Sequence, residues 1–322
     1  MRVILANPRG FCAGVNMAID ALDHALKLFG APVYVYHEIV HNRHVVAGFR
    51  EKGAIFVERI EDVPEGSTLV FSAHGISPEV RQAAAARNLR VVDATCPLVT
   101  KVHSEAARFA RRGHTILLIG HADHDEIIGT MGEAPDRIQL VESAESVDDI
   151  ALPEGASVAY LSQTTLSVDD ASRVVGRLRE RFPEIVAPPS EDICYATQNR
   201  QEAVRQLARE ADVVLVIGSQ NSSNSARLAE IARDMGVPSY LVDSADEISD
   251  RWFDGVETVA ITAGASAPEE LVQRCIERIQ HEFGAIIEER TVRTEDMHFQ
   301  LPVDLRRAMA ADDEPGQRDA AD

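Results

Sequence analysis

Three cysteines, Cys12, Cys96 and Cys194, each fall where an apolar, strand-like run breaks into a helix-like segment: VILANPRGFCAGV, LRVVDATCPLVTKV and EDICYATQNRQEAV. Thiols recurring at one structural position in three distant segments imply three units gathered around a shared centre, where a metal site is better served than a disulfide. The spacings lack the CxxC pairs of structural zinc sites and of ferredoxin-type clusters. The pattern therefore leaves two metals open, because soft thiolates accept zinc or an iron–sulfur cluster. Three protein ligands leave a fourth coordination position vacant, which is the habit of catalytic metals. Cys275, in ELVQRCIERI, falls on the apolar face of a helix and reads as core packing.

A second group of residues follows the strand-like runs: SAHGIS after TLVFSA, GHADHDEIIGT after TILLIG, SQTTLS after VAYLS, GSQNSSNS after DVVLVIG and AGASAP after TVAITA. In open parallel sheets this carboxyl edge is where ligands bind, and helices starting just beyond it offer N–H groups to a phosphate. A single Ser, Thr or Asn there is ordinarily a helix cap. GSQNSSNS exceeds that need, since Ser222, Ser223, Asn224 and Ser225 stack several donors at one turn. His41, His74 and His124 also stand at strand ends, whereas His24, His44, His103, His121, His281 and His298 read as structural. Glu126, two residues after His124, is a candidate proton donor if it is desolvated. Neither GxxxxGK[ST] nor a GxGxxG after the first strand is present, so the usual fingerprints of ATP and NAD are missing.

Positioning these groups requires βα units. Short β-branched runs alternate with helix-period segments, the sign of a largely parallel sheet. Strands are expected at VILAN, VYVYHEIV, AIFV, TLVFSA, RVVDA, TILLIG, VAYLS, DVVLVIG, SYLVD and TVAITA, and helices at 14–29, 79–87, 98–112, 168–181, 200–210, 225–235 and 268–282. With 322 residues the chain suits two or three compact α/β units. Their boundaries are expected near the second and third cysteines, and 183–192 reads as a linker. From Pro302 the chain turns acidic and Ala-rich, and it is expected to be disordered there.

The formal charge of −20, with no Lys/Arg stripe, argues against nucleic acid or an anionic membrane as partner, so any anion has to be caught locally. No apolar run approaches the roughly 20 residues that span a bilayer. Four cysteines are too few for a disulfide scaffold, and VILAN follows Met1 without a leader. The expectation is a reduced, cytoplasmic protein.

Taken together, NPRGFCAGV, HEIVHN, FSAHG, DATCPLVTKVH, SQTTLSVDD, DICYATQNRQEAV, GSQNSSNSARL and TAGASAP make residues 1 to about 305 closely resemble the 4-hydroxy-3-methylbut-2-enyl diphosphate reductase family, which closes the non-mevalonate isoprenoid pathway. The resemblance implies a trefoil-like α/β assembly of pseudo-threefold-related units: 14–96, 97–193, and 1–13 with 194–301, followed by the 302–322 tail. It implies one [4Fe–4S] cluster held by Cys12, Cys96 and Cys194. The diphosphate is then held by His41, His74, His124, Ser222, Ser223, Asn224 and Ser266, with Gln163 as a further polar contact. Thr164 and Glu126 stand at the reacting alcohol, Glu126 being the proton source. Electrons come from ferredoxin or flavodoxin, with no NAD or flavin on this chain, which is expected to be a monomer or weak homodimer. A zinc-dependent diphosphate hydrolase and a non-catalytic iron–sulfur sensor are the rival readings. One departure stands out: Asp125 replaces the proline common at that position. If it faced inward beside Glu126, two like charges would raise one carboxyl's pKa; otherwise it faces solvent.

Overall fold

The computed structural model describes residues 1–153 and 155–312. The elements run β1 (Arg2–Asn7), α1 (Ala13–Phe29), β2 (Val33–Tyr36), α2 (Arg43–Glu51), β3 (Ala54–Val57), β4 (Thr68–Phe71), α3 (Pro78–Ala86), β5 (Arg90–Asp93) and α4 (Pro97–Arg111). They continue through β6 (Thr115–Ile119), α5 (Asp125–Gly132), β7 (Ile138–Val141), β8 (Val158–Ser162), α6 (Val168–Arg181), α7 (Tyr195–Leu207), β9 (Val213–Ile217) and α8 (Ser223–Asp234). The remainder is β10 (Ser239–Val242), β11 (Thr258–Ala263), α9 (Glu269–Phe283), β12 (Ile286–Thr291) and α10 (Val303–Asp312). No helix is long and apolar enough to cross a membrane among the described residues.

The strands form three sheets, in the orders β3-β2-β4-β5, β7-β6-β8 and β10-β9-β11-β1-β12. Every pairing within them is parallel. Parallel sheets need cover on both faces, which is why β4 and β9 are buried throughout and, but for Thr68, apolar. In the first sheet Val33 and Val35 face α1 while Tyr34 and Tyr36 face α3, as the two-residue period of a strand requires. Leu118 and Leu117 likewise split between an α4/α5 face and an α6 face, and Ile4 and Leu5 between α7/α8 and α9. Cys275 lies fully buried in the α9 layer.

Each of the other cysteines marks a change of sheet. The chain leaves β1 at Cys12 and enters α1, which packs on the first sheet; it leaves β5 at Cys96 and enters α4, which packs on the second. After Cys194 it enters α7, which packs on the third, the sheet that contains β1.

Several expectations need correction. The strand over VYVYHEIV stops at Tyr36, because His37 takes a left-handed backbone with φ 57°. β12 escaped notice because it is an edge strand of mostly exposed Glu and Arg, the composition that protects an edge. The 183–192 segment is anchored rather than free: the Val186 amide donates to Val158 O, and buried Asp192 accepts from the Ser162 amide and from Lys101. The stretch from Pro302 is not disordered along its described length. α10 sets Leu305, 1% exposed, into the core beneath α1, with Leu301 and Met309 at helical spacing beside it. Residues 313–322 of the expected tail lie outside the described residues.

Candidate functional site

Cys12, Cys96 and Cys194 are the N-caps of α1, α4 and α7, each with non-helical backbone ahead of the first helical turn. They line one cavity of about 90 Å³, together with His41, His74, His124, Glu126, Thr164, Ser222, Ser223, Asn224 and Ser266. His124 and Ser222 are themselves the N-caps of α5 and α8. Five helix N-termini therefore present their positive ends to a single space.

Two of the thiols pack against α1. A β-carbon on Gly14 would stand 2.6 Å from Cys96 Sγ and 3.9 Å from Cys12 Sγ, so α1 passes the sulfurs only because it is bare there. Cys194 Sγ receives the Thr197 amide at 3.4 Å and lies 3.2 Å from the Thr197 hydroxyl. The Ala13 amide donates to Tyr195 Oη, tying the helix after Cys12 to the helix after Cys194. Arg200, wholly buried, donates to Gly10 O, Ala196 O and Glu295, fixing the same two segments. Burial first, and the Cys12 thiol next, push Cys96 up to about 12 and Cys194 up to about 11. Bare, both stay protonated at neutral pH, so as thiolates they call for cationic metal among them. Helix N-termini and the Thr197 donors suit that state.

The same cavity holds an acid–alcohol pair. Glu126 is 5% exposed, and its Oε2 accepts from both the Thr164 amide, at 2.9 Å, and the Thr164 hydroxyl, at 2.8 Å. The Glu126 amide in turn donates to His124 Nδ1 at 3.3 Å.

The remaining wall is built of imidazoles, hydroxyls and an amide. His41 and His74 stack with centroids 3.8 Å apart, and His124 meets His41 edge-on at 5.5 Å. Burial holds His74 well below the ordinary imidazole range and lowers His124 as well. The Ser266 hydroxyl donates to His41 O and stands 3.4 Å from Ser222 Oγ, while Asn224 accepts from the Ala265 amide. Ser225 does not reach the cavity. It turns inward to donate to Ser222 Oγ, in space left by Gly218 and Gly264.

Two expectations change here. Gln163 does not line the cavity: it accepts from the His121 amide and donates to Thr165 Oγ1, bracing the loops that do. Asp125 faces neither Glu126 nor solvent. It accepts from His37 Nδ1 at 2.8 Å and stands 3.7 Å from His74 Nδ1 and 3.8 Å from His41 Nε2. His41, His74 and Asp125 are also the described donor set lying within 4.8 Å of one another. The stacked rings, 15° from parallel, cannot both aim in-plane lone pairs at one ion. His37, Gly14 and Thr197, which bond to or pack against Asp125, Cys96 and Cys194, were missed by the sequence reading. Only Thr197 carried a signal, a Thr three residues past a capping residue, where the N3 amide falls.

In a three-sheet α/β protein, three helix-capping thiols, a buried acid–alcohol pair and a cluster of imidazoles and hydroxyls thus share one cavity. Residues 3–280 match the LytB protein family model, and the chain belongs to that family. A relative from Rhodopirellula baltica, named 4-hydroxy-3-methylbut-2-enyl diphosphate reductase, is 60% identical over 97% of this chain and 98% of its own length. One of the same name from Acidothermus cellulolyticus is 55% identical, covering 99% and 94%. Among solved structures, the E-1-hydroxy-2-methyl-but-2-enyl-4-diphosphate reductase from Plasmodium falciparum superposes with a TM-score of 0.95 at 37% identity, over 97% of this chain and 99% of that one.

Proposed function

We propose that this chain is a 4-hydroxy-3-methylbut-2-enyl diphosphate reductase, converting that allylic alcohol by reductive dehydroxylation to isopentenyl and dimethylallyl diphosphate. One observation carries the reading: three thiols, an acid–alcohol pair and an anion cradle, drawn from all three sheets, line one cavity. The three sheets, with a change of sheet at each of these cysteines, support a division into three units.

Cys12, Cys96 and Cys194 would hold an iron–sulfur cluster of the [4Fe–4S] type. A single tetrahedral zinc, with Zn–S near 2.3 Å, needs sulfurs about 3.8 Å apart. The three thiols are not among the described donor sets lying within 4.8 Å of one another, which favours a larger centre over the zinc hydrolase reading. When bound, the cluster supplies single electrons and a Lewis-acidic iron.

The chain's own residues do the rest. His41, His74, His124, Ser222, Ser223, Asn224 and Ser266 bind the diphosphate and thereby place the alcohol at Glu126 and Thr164. Thr164 holds Glu126 in one orientation, and Glu126 delivers a proton to the departing hydroxyl oxygen. Overall the substrate takes two electrons and two protons: the C–O bond breaks, water leaves, and a C–H bond forms at one of two allylic carbons. Apolar Val15, Val40 and Val99 in the lining limit water around the hydrocarbon. Electrons arrive from a ferredoxin or flavodoxin.

The test is anaerobic purification followed by assay. The expected outcome is a brown protein with about four iron and four sulfide per chain, turning over the hydroxylated diphosphate to two C5 products with a one-electron reductant. A colourless zinc protein releasing phosphate would overturn the reading.

A further inference from the structure

Asp125 opens α5, and its side chain, 17% exposed, enters the space between three imidazoles. Oδ1 accepts from His37 Nδ1 at 2.8 Å, and Oδ2 stands 3.7 Å from His74 Nδ1 and 3.8 Å from His41 Nε2. His74 Nδ1 is buried without a hydrogen-bond partner, so this ring edge is held near a carboxylate without being consumed by it. A carboxylate in that place is a like charge beside any anion that His41 and His74 bind. Uncompensated, it opposes binding.

The compensation lies one step behind the cradle. His37 is outside the cavity lining, its ring stacked on Tyr36 at 4.1 Å and its backbone in the left-handed region, with the His37 amide donating to Val57 O. That conformation is uncommon for a residue with a β-carbon and is kept here by the stack and the Asp125 bond. The other charged groups nearby do not substitute for it. Glu58, 3.8 Å from His37 Nε2, is 85% exposed and screened; Glu61 acts on Tyr36. Glu38 is engaged by His41 and Asn221, and Glu126 by Thr164, while His124 caps α5. Among the described residues, no Lys or Arg pairs with Asp125.

We propose that His37 is a positioning residue for diphosphate binding: as an imidazolium it neutralises Asp125, so that the carboxylate can orient His41 and His74 without repelling the ligand. This rests on the diphosphate reading of the cavity. The Asp125 bond, opposed by burial, holds His37 above the ordinary imidazole range. Burial would raise the Asp125 carboxyl, yet the His37 bond and the neighbouring imidazoles outweigh it and hold it at about 2. The bond thus favours the charged form of each partner.

The experiment measures inorganic diphosphate binding to the anaerobically prepared holoprotein by titration calorimetry. His37→Asn, chosen because Asn tolerates a left-handed backbone, weakens binding about tenfold by exposing one buried like charge to the ligand. Asp125→Asn binds at least as tightly as the parent. The double variant matches Asp125→Asn, because with the carboxylate gone His37 has nothing to neutralise. The His37→Asn deficit shrinks as the pH is raised through the His37 titration, where the parent loses the same charge. Parent-like affinity in His37→Asn, or losses that add in the double variant, would overturn the proposal. His74→Ala separates it from the underlying reading: unchanged affinity there removes the diphosphate site itself, whereas a large loss there beside a normal His37→Asn removes only the role of His37.

Discussion

The hydroxyl and the amide of Thr164 converge on one oxygen of Glu126, Oε2, leaving Oε1 without a protein hydrogen bond among the described residues. One threonine thus fixes the carboxyl's orientation and frees its other oxygen for the cavity. Glu126→Gln keeps the shape and removes the transferable proton, so turnover should drop by about 10² to 10⁴-fold. Inorganic diphosphate should still bind normally. Thr164→Val retains the amide bond and should cost about tenfold in kcat, a milder positioning loss. Parent-rate turnover in Glu126→Gln would show that another group is the acid.

Serine in place of Cys12, Cys96 or Cys194 should each remove most of the iron, because a hydroxyl stays protonated where a thiolate is required. Cys275→Ala should retain it. That thiol is buried in the α9 layer, so its loss appears only as a stability decrease of about 1 kcal/mol. Iron and sulfide analysis of anaerobic preparations decides the matter; equal contents in all four variants would refute the ligand assignment.

Gly14 gives an independent check on the same centre. With a β-carbon 2.6 Å from Cys96 Sγ, Gly14→Ala forces α1 or the sulfur to move. Iron content should fall while the helical circular dichroism stays, since alanine is the better helix former. A fully loaded Gly14→Ala protein would mean that the sulfurs are not held against α1.

Much of this was legible in the chain. The apolar runs predicted β1, β6, β9 and β11 because both faces of those strands are buried, and Cys12, Cys96 and Cys194 stood out because each ends such a run. The polar strand ends pointed to His41, His74, His124, Ser222, Ser223, Asn224 and Ser266, which line one cavity. What stayed hidden depends on tertiary neighbours. Asp125 looked like a choice between Glu126 and solvent, since nothing in HDEIIGT reveals that His37, 88 residues away, waits for it. Gly14 looked like ordinary helix, and Gln163 like a ligand, because direction into or away from a cavity is not written in residue type.

Proton linkage should accompany ligand binding. Burial keeps His74 and His124 below the ordinary imidazole range, so both meet a ligand largely uncharged at neutral pH. A diphosphate favours their charged forms, raising their pKa on binding, so protons are taken up. Affinity must then fall as pH rises between the free and bound values. Calorimetry of inorganic diphosphate in buffers of different ionisation enthalpy should report net uptake. Net release would place the diphosphate elsewhere.

The C-terminal helix offers a prediction about stability alone. Leu305 is buried against α1 and the first sheet, while Glu295, earlier on the same arm, pairs with buried Arg200 behind Cys194. The arm thus joins the third sheet's segment to the first unit's core. Leu305→Ala removes the anchor and leaves a cavity, costing about 2–4 kcal/mol. The loss should appear as a lower Tm, and as earlier proteolysis at 292–302, where the chain has no regular structure to resist opening. Iron content and kcat should be unchanged at low temperature, because no cavity-lining residue lies on α10. If Leu305→Ala keeps the parent Tm, α10 is not docked on α1 in solution, and the stretch after Pro302 behaves as its composition alone suggests.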